Sequence, residues 1–456
     1  MKRTIRILAA LALVAGAERT AVAQSSASIR AAGMAGASMA LARGHEALAL
    51  NPANLGLPGR PGFSMALPRA DVTGAIFGPS LGDVVDIFRA GDDLTDRQRT
   101  EFLDKVPAGG FELRTDVQVP WLAVSVGNFA FGATTTALIG GSVGKELIDL
   151  LLYVRQYEDV DQNRLNEYRV GNTAGRDALY TTVRAAYGKE VDLPFLSFPV
   201  SVGVGARYIV GHELQRLRIY EPRVDLNASE IYLTALAIRS TGGKGYGVDA
   251  GISARPLPWL TLGVAVDNVF QQMKWDEGIE LRGDEFVGSE LDDEGLDELY
   301  DRLNPRPFDP TAVPLEAYEL ARELFTEAYF PRVVRLGAGV QFGGTALGAS
   351  FAAKQGKGDL HAGWPRTLAV GLEQRLPLLS FLTLRGGVAS SLSGASAYSL
   401  GTTLRLGPVG ISAAATATTG NDEAAAQNTF DGTRFAERLA AASGYGLTLG
   451  IEIGGF

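Results

Sequence analysis

The chain has 456 residues, 56 of them glycine and none cysteine, and a formal charge of −9. Glycine at about 12% against an ordinary 7%, with a mean hydropathy of only +0.07, argues against a helical membrane protein, and the missing cysteines exclude disulfide scaffolds, thiolate metal sites and cysteine nucleophiles. The acidic balance excludes a general nucleic-acid binder, which needs a concentrated excess of Lys and Arg to displace counterions. Only His45, His212 and His361 are available to ligate zinc, so no metal and no cofactor is expected.

The first residues read as an address. Lys2, Arg3 and Arg6 form a basic start, residues 7–17 an apolar run, and Ala21-Val22-Ala23 a small-x-small cleavage site, so 1–23 is expected to be a signal peptide. Its removal takes away four basic residues and one acidic residue and moves the charge from −9 to −12. The apolar run is too short to span a bilayer, which needs about 20 residues, and nothing downstream is longer. That leaves an exported soluble protein or a β-barrel.

Residues 24–60 carry no period-two pattern and read as a small Ala- and Gly-rich unit that cannot fold alone at that size. Gly33 and Gly36 permit close backbone approach to a wall, Pro52 fixes a turn while offering no N–H, and Asn51 can satisfy backbone groups that burial would leave unpaired.

From residue 61 the pattern alternates. Leu260, Leu262, Val264 and Val266 share one face of a strand, and Thr261, Gly263, Ala265 and Asp267 the other. Fourteen such strands are expected, at 62–77, 116–126, 129–141, 176–188, 199–211, 245–254, 259–269, 330–342, 345–354, 366–376, 381–389, 396–406, 409–418 and 444–456. A soluble sandwich also alternates, but its connections are short at both ends. Here every second connection is tight, as at Gly127-Asn128, Gly343-Gly344 and Gly407-Pro408, and the intervening ones are mostly long and polar. That is the pattern of an outer-membrane barrel with periplasmic turns and extracellular loops. The fold class is therefore all-β, a 14-stranded antiparallel transmembrane barrel over 61–456 with an N-terminal plug.

The apolar faces meet lipid, and Arg207, Asp249, Asp267, Arg335, Glu373, Arg385 and Arg405 line a polar lumen. Residues 213–240 are ambiguous: two further membrane strands, or a hairpin standing above the membrane that preserves the even count. The terminal Phe456 has the wrong parity for its strand, so Gly454-Gly455 must bulge or end it.

The loops offer little chemistry. Residues 290–301 mimic a calcium loop but place Glu first and Asp last, the reverse of an EF-hand, and a solvated acidic loop is the simpler reading. No Gly-x-Ser-x-Gly elbow occurs, and the histidines, in plug or loop regions, lack an evident nucleophile and carboxylate. No catalytic residue is assigned, and the protein is not expected to be an enzyme. Apolar material is more telling. Leu147 and Leu151 lie in one run, and Leu320, Leu324 and Phe325 recur at helical spacing within 315–329. Two short helices there could cap the mouth and bind substrate, or simply pack on each other.

Within 32–55, the runs Ala32-Gly33-Met34-Ala35-Gly36-Ala37, Ala40-Leu41-Ala42 and Ala47-Leu48-Ala49-Leu50-Asn51-Pro52-Ala53-Asn54-Leu55 resemble the N-terminal hatch of the FadL-type long-chain fatty acid transporters. The rest of the chain resembles that family in size, strand number and topology. The resemblance implies a 14-stranded barrel plugged by its own N-terminus, which takes up hydrophobic molecules at the cell surface and releases them sideways through a gap at a kinked third strand. Gly33, Gly36, Asn51, Pro52 and Ala53 then belong to the hatch motif, and Phe129, Gly132, Gly140 and Gly141 to the strand of lateral opening.

The expected function is passive uptake of small, fatty-acid-like hydrophobic compounds bound under the outer loops of a barrel in the outer membrane of a Gram-negative-type bacterium. Its partners are the hydrophobic small molecules, outer-membrane lipid and the barrel-assembly machinery, and the expected state is a monomer. The alternative is a scaffold or secretion-accessory barrel that docks partner proteins and transports nothing; an open porin is disfavoured by the plug.

Overall fold

The computed structural model describes residues 28–77, 94–106, 110–156, 174–225, 230–287, 328–356, 358–360, 365–392, 395–419 and 444–454, with single positions at 79, 83, 87 and 325. Residues 1–27, which hold the expected signal peptide, the acidic calcium-loop mimic at 290–301, His361 and Phe456 lie outside the described residues.

Fourteen strands close into one antiparallel ring. They are β1 (Phe63–Ala66 and Ala70–Phe77), β2 (Phe111–Val126), β3 (Phe129–Val143), β4 (Ala174–Val191), β5 (Val200–Asp225), β6 (Glu230–Ser240 and Gly242–Leu257), β7 (Leu260–Glu277 and Glu280–Val287), β8 (Arg332–Phe342), β9 (Thr345–Gln355), β10 (Arg366–Arg375), β11 (Leu382–Ser391), β12 (Ser396–Leu406), β13 (Val409–Thr419) and β14 (Gly444–Gly454). Each pairs with its neighbours in sequence, and β14 returns to β1 through Met65↔Ile453 and Val72↔Leu447. The expected strands are all present, and several run further outward than the alternation alone reveals.

The ambiguous 213–240 adds nothing to the ring. It is the outer half of β5 paired with the first segment of β6, from Leu214↔Ser240 to Asp225↔Glu230. Three of the tight turns begin on a glycine at positive φ, Gly127 (57°), Gly343 (54°) and Gly407 (64°), as hairpin turns matched to strand twist require. Gly454 also lies at positive φ, 67°, and ends β14.

Period-two alternation turns large apolar side chains outward. Val370 is 55% exposed and Leu400 66%, while Ala369 and Ala397 on the opposite face are buried. A closed ring has no unpaired edge and an apolar band of this kind requires lipid, so the architecture is that of an outer-membrane barrel. No helix of the described residues is long and apolar enough to cross a membrane.

Among the described residues, the helices α3 (Asp96–Lys105) and α4 (Lys145–Gln156) stand outside the ring. Residues 96–105 are expected from sequence to be loop. Their helix begins at Thr95, whose hydroxyl accepts from the Gln98 amide while Gln98 reaches back to the Thr95 amide, a reciprocal cap legible as Thr-x-x-Gln.

Candidate functional site

Residues 28–58 pack inside the barrel. They form α1 (Ile29–Gly33), α2 (Ala47–Leu50) and two 3₁₀ turns, Gly44–Glu46 and Pro52–Leu55. No helix is longer than five residues, and tertiary contact holds them. The inner wall meets the segment with glycine. A Cβ placed on Gly348 of β9 would lie 1.8 Å from the Ala37 carbonyl oxygen, on Gly203 of β5 2.3 Å from the Ala53 amide nitrogen, and on Gly387 of β11 2.3 Å from the Met34 carbonyl carbon. Gly188, Gly251 and Gly337 approach the segment as closely. Glycine is thus abundant because two backbones must nearly touch.

The predicted hatch residues come together here. Asn51 caps the second 3₁₀ turn, its Oδ1 accepting from the Ala53 amide at 3.0 Å, and its Nδ2 donates to Ser253 Oγ at 2.9 Å. Pro52 opens that turn. The Ala53 carbonyl accepts from Ser201 Oγ at 2.6 Å. Gly33 lies against Gly401, where a Cβ on either would meet the other's Cα within about 3 Å. Gly36, at φ 87°, makes the turn after α1. Sequence reasoning missed the partners: Asn54, which donates to the Met39 carbonyl and accepts from Ser253, and Arg30, whose Nη2 donates to Glu373 Oε1 at 2.8 Å. Burial opposes the Arg30 charge, but the carboxylates of Glu373 and Glu46 outweigh it and raise the guanidinium above its ordinary range. Arg43 is pulled down to about 10, by burial first and then by Arg30 and Arg255.

Six of the expected luminal charges form three cross-strand pairs, Arg207 with Asp249, Arg335 with Asp267, and Arg385 with Glu373. Arg184, whose inward parity follows from outward Val183, went unassigned. It is the register partner of Arg207, yet it has no ion pair or hydrogen bond among the described residues. His45, read as a plug or loop residue without an evident carboxylate, is buried and has one. Its Nδ1 lies 3.1 Å from Ser64 Oγ and its Nε2 3.7 Å from Glu452 Oε1. Ser64 is itself wholly buried and bonded to Ser125, so this trio tethers the segment to the β1–β14 seam.

Above the segment is a cavity of about 150 Å³, lined by Leu48, Leu50, Tyr180, Arg184, Phe330 and Leu360 among others. Beyond it the lumen becomes apolar: Leu138, Tyr180, Ile209, Leu214, Trp275 and Phe330 form one buried cluster against which Phe325 packs. Tyr180 and Phe330 meet edge to face at 5.0 Å, and Trp275 Nε1 donates to the Ala328 carbonyl at 3.0 Å. Of the residues expected to bind substrate, Phe325 joins this cluster. Leu147 is buried in α4, which also carries Leu151; α4 packs through Leu152 and Ile148 on Phe102 and Leu103 of α3. Leu320 and Leu324 lie outside the described residues.

The wall at β3 is thin rather than broken. β3 pairs with β4 continuously from Ser142 to Phe129, including Gly141↔Gly175 and Gly140↔Arg176, and with β2 except where Trp121 is extruded between Pro120 and Leu122. On its outer surface an apolar groove of about 470 Å³ is lined by Leu122, Val124, Phe131, Val183 and Tyr208. Gly132, Ala133, Arg184 and Arg207 line both this groove and the luminal cavity. Phe129 lies beside the tight turn at Gly127-Asn128, 50% exposed, its ring 4.7 Å from Tyr187.

No family model matches the chain, and no curated protein matches it. Among solved structures it is similar to a FadL homologue of Pseudomonas aeruginosa, at 15% identity over 96% of this chain and 99% of that one, with a TM-score of 0.41. It is similar also to the toluene transporters TodX of Pseudomonas putida (12% identity, 96% and 98% covered, TM-score 0.46) and TbuX of Ralstonia pickettii (12%, 93% and 98%, 0.43). The first bears the name of the family that residues 32–55 resemble. At these identities and scores the likeness carries no weight of its own, and the closed fourteen-stranded barrel rests on the strand pairing of this chain.

Proposed function

We propose that the protein is an outer-membrane channel for the passive uptake of small hydrophobic, fatty-acid-like compounds. The ligand enters beneath the extracellular loops, rests over the N-terminal segment and leaves sideways through the wall near β3, with Gly33, Gly36, Asn51, Pro52 and Ala53 forming the hatch that closes the axial path. The observation that supports this most is the apolar cluster of Leu138, Tyr180, Ile209, Leu214, Trp275 and Phe330 in the outer lumen, because a barrel that passes water-soluble solutes has a polar interior. Those groups bury against one another when the site is empty and offer an apolar body a place to partition. The thin wall at Gly132 and Ala133 supports the sideways path. No step requires chemistry: the gradient drives transfer, and the protein supplies a path that avoids the polar head-group layer.

The test compares the parent with a deletion of residues 28–58, at matched expression and confirmed folding. Ion conductance is measured in planar bilayers, and uptake of a fluorescent fatty acid in proteoliposomes. The parent is expected to be closed to ions yet to take up the probe, and the deletion to conduct. A folded deletion that stays closed, together with a parent that takes up nothing, would overturn the channel in favour of a docking scaffold.

A further inference from the structure

Four side chains on the lipid-facing surface form a hydrogen-bonded chain across four adjacent strands. Trp121 Nε1 on β2 donates to Thr135 Oγ1 on β3 at 2.8 Å, Thr135 Oγ1 meets Thr181 Oγ1 on β4 at 2.8 Å, and Thr181 Oγ1 meets His212 Nε2 on β5 at 2.8 Å. Both ends are bulged residues. Trp121 is the residue skipped in the β2–β3 ladder, and His212 the one skipped between Gly211 and Glu213 in the β4–β5 ladder. Thr135 and Thr181 are register partners between them. A bulge re-aims a side chain, and here two bulges aim donors and acceptors at the same pair of threonines.

The strap borders the apolar groove described above. Ala133 and Phe131 follow Thr135 on the outward face of β3, and Val183 follows Thr181 on that of β4. Polar groups facing hydrocarbon are costly unless satisfied, yet the strap is not self-sufficient. Indole N–H can only donate, and whichever way the hydroxyls turn, one ring nitrogen of the exposed His212 keeps no partner among the described residues. On the inner side of the same wall stands Arg184, likewise without an ion pair or hydrogen bond among the described residues, lining both groove and luminal cavity. An apolar trough with a polar open rim, reached past a cation that makes no direct ion pair among the described residues, matches an amphiphile with one acceptor-bearing head.

We propose that this groove and strap form an exit-side subsite on the outer wall. The apolar body of the transported amphiphile lies along Leu122, Phe131 and Val183, while its anionic or carbonyl-bearing head, passing Arg184, docks at His212 and Thr181. The proposal rests on the lateral exit proposed above and commits to the transported amphiphile, not to resident bilayer lipid, because Gly132, Ala133 and Arg184 line both the groove and the luminal cavity, on the two sides of one wall.

Trp121 is a built-in reporter. In proteoliposomes of the full chain, its fluorescence is taken as the difference between the parent and Trp121→Phe, and quenchers are added in turn: a brominated long-chain fatty acid, a brominated alkane and a brominated phosphatidylcholine. The fatty acid is expected to quench saturably and at lower mole fraction than either comparator. Thr181→Val, which removes the hydroxyl and keeps the shape, should weaken that quenching about tenfold, the scale of one hydrogen bond to a charged group. Folding of each variant is checked by heat-modified gel mobility. Equal quenching by fatty acid and alkane, equal quenching by fatty acid and phospholipid, or indifference to Thr181→Val would each overturn the subsite. Saturable, strap-dependent quenching by the fatty acid in a protein that takes up no probe would instead leave the subsite standing and remove the channel.

Discussion

The half of the wall from β8 to β14 and the half from β2 to β7 are made of the same alternating strands and do different work. From β8 to β14 the strands are ten or eleven residues long, and the ladders between them run without a shift in register. Their inner face is stripped to glycine where Met34, Ala37 and Met39 press on it. From β2 to β7 the strands are fifteen residues or longer, and the ladders slip at Trp121, between Leu179 and Tyr180, at Tyr220 and at Val248. The groove lies on this half, and the cavity is lined by residues of both. An unbroken ladder fixes every side chain at a set spacing and leaves little space for a ligand, whereas a bulge spends one residue's pairing to redirect its neighbours. Both halves grip the luminal segment, the irregular one through Gly188, Gly203 and Gly251, and the irregular half also carries the groove.

The largest effect should come from forcing a side chain into the clamp. Gly348→Leu cannot coexist with the Ala37 carbonyl 1.8 Å from the position of its Cβ, so the segment must leave its seat, and ion conductance should rise toward that of the 28–58 deletion. Gly74→Ala is the control: a methyl there meets nothing nearer than 3.8 Å, and the closed state should persist. Next in size is Glu373→Gln, which leaves Arg30 and Arg385 without their shared carboxylate. Removing one partner of a buried pair costs about 3–5 kcal/mol, read here as a lower urea midpoint and noisier closed-state current. Asn51→Ala deletes a cap and the bond to Ser253 and should cost about 1–3 kcal/mol, with brief openings in the same recordings.

The barrel was legible because its period is two and one parity is apolar. Val370 and Leu372 against Gly371 and Glu373 could be read from the string alone, and so could the connections whose lengths set the topology. The buried turn of the luminal segment was legible from Asn51, Pro52 and Ala53, since those residue types serve a turn that must hide its own polar groups. What stayed hidden lies at register. Trp121 and His212 stand 91 positions apart in the chain, and only two separate slips in pairing bring them to either end of one threonine pair. His45 carries no local sign that Glu452, on the last strand, will close on it. The apolar outer lumen was half visible. Phe325 was recognised through its helical spacing, but Leu138 and Ile209 occupy strand positions whose parity reads as luminal, where polar residues were expected, and Trp275 lies beyond the expected strand 259–269, in what reads as a connection.

The smallest predicted change in stability is also the sharpest test of the difference between the two halves. Deleting Trp121 leaves Pro120↔Thr134 and Leu122↔Ala133 as consecutive pairs, so the β2–β3 ladder becomes as regular as those from β8 to β14. Pro120 still offers no N–H to that ladder, and the lost indole–threonine bond is roughly offset by restored pairing, so unfolding should shift by no more than about 1 kcal/mol. Transport should respond differently. With the bulge gone, the pairs Pro120↔Thr134 and Leu122↔Ala133 follow one another without a gap, the thin part of the wall tightens, and the strap loses its first donor. Probe binding inside the lumen, followed by equilibrium dialysis with detergent-solubilised protein, should match the parent, while probe uptake into proteoliposomes slows severalfold. If uptake keeps the parent rate in a folded deletion, the ligand leaves by another path and the irregular wall is an accident of strand length; if binding falls along with uptake, the bulge shapes the luminal cavity and not its exit.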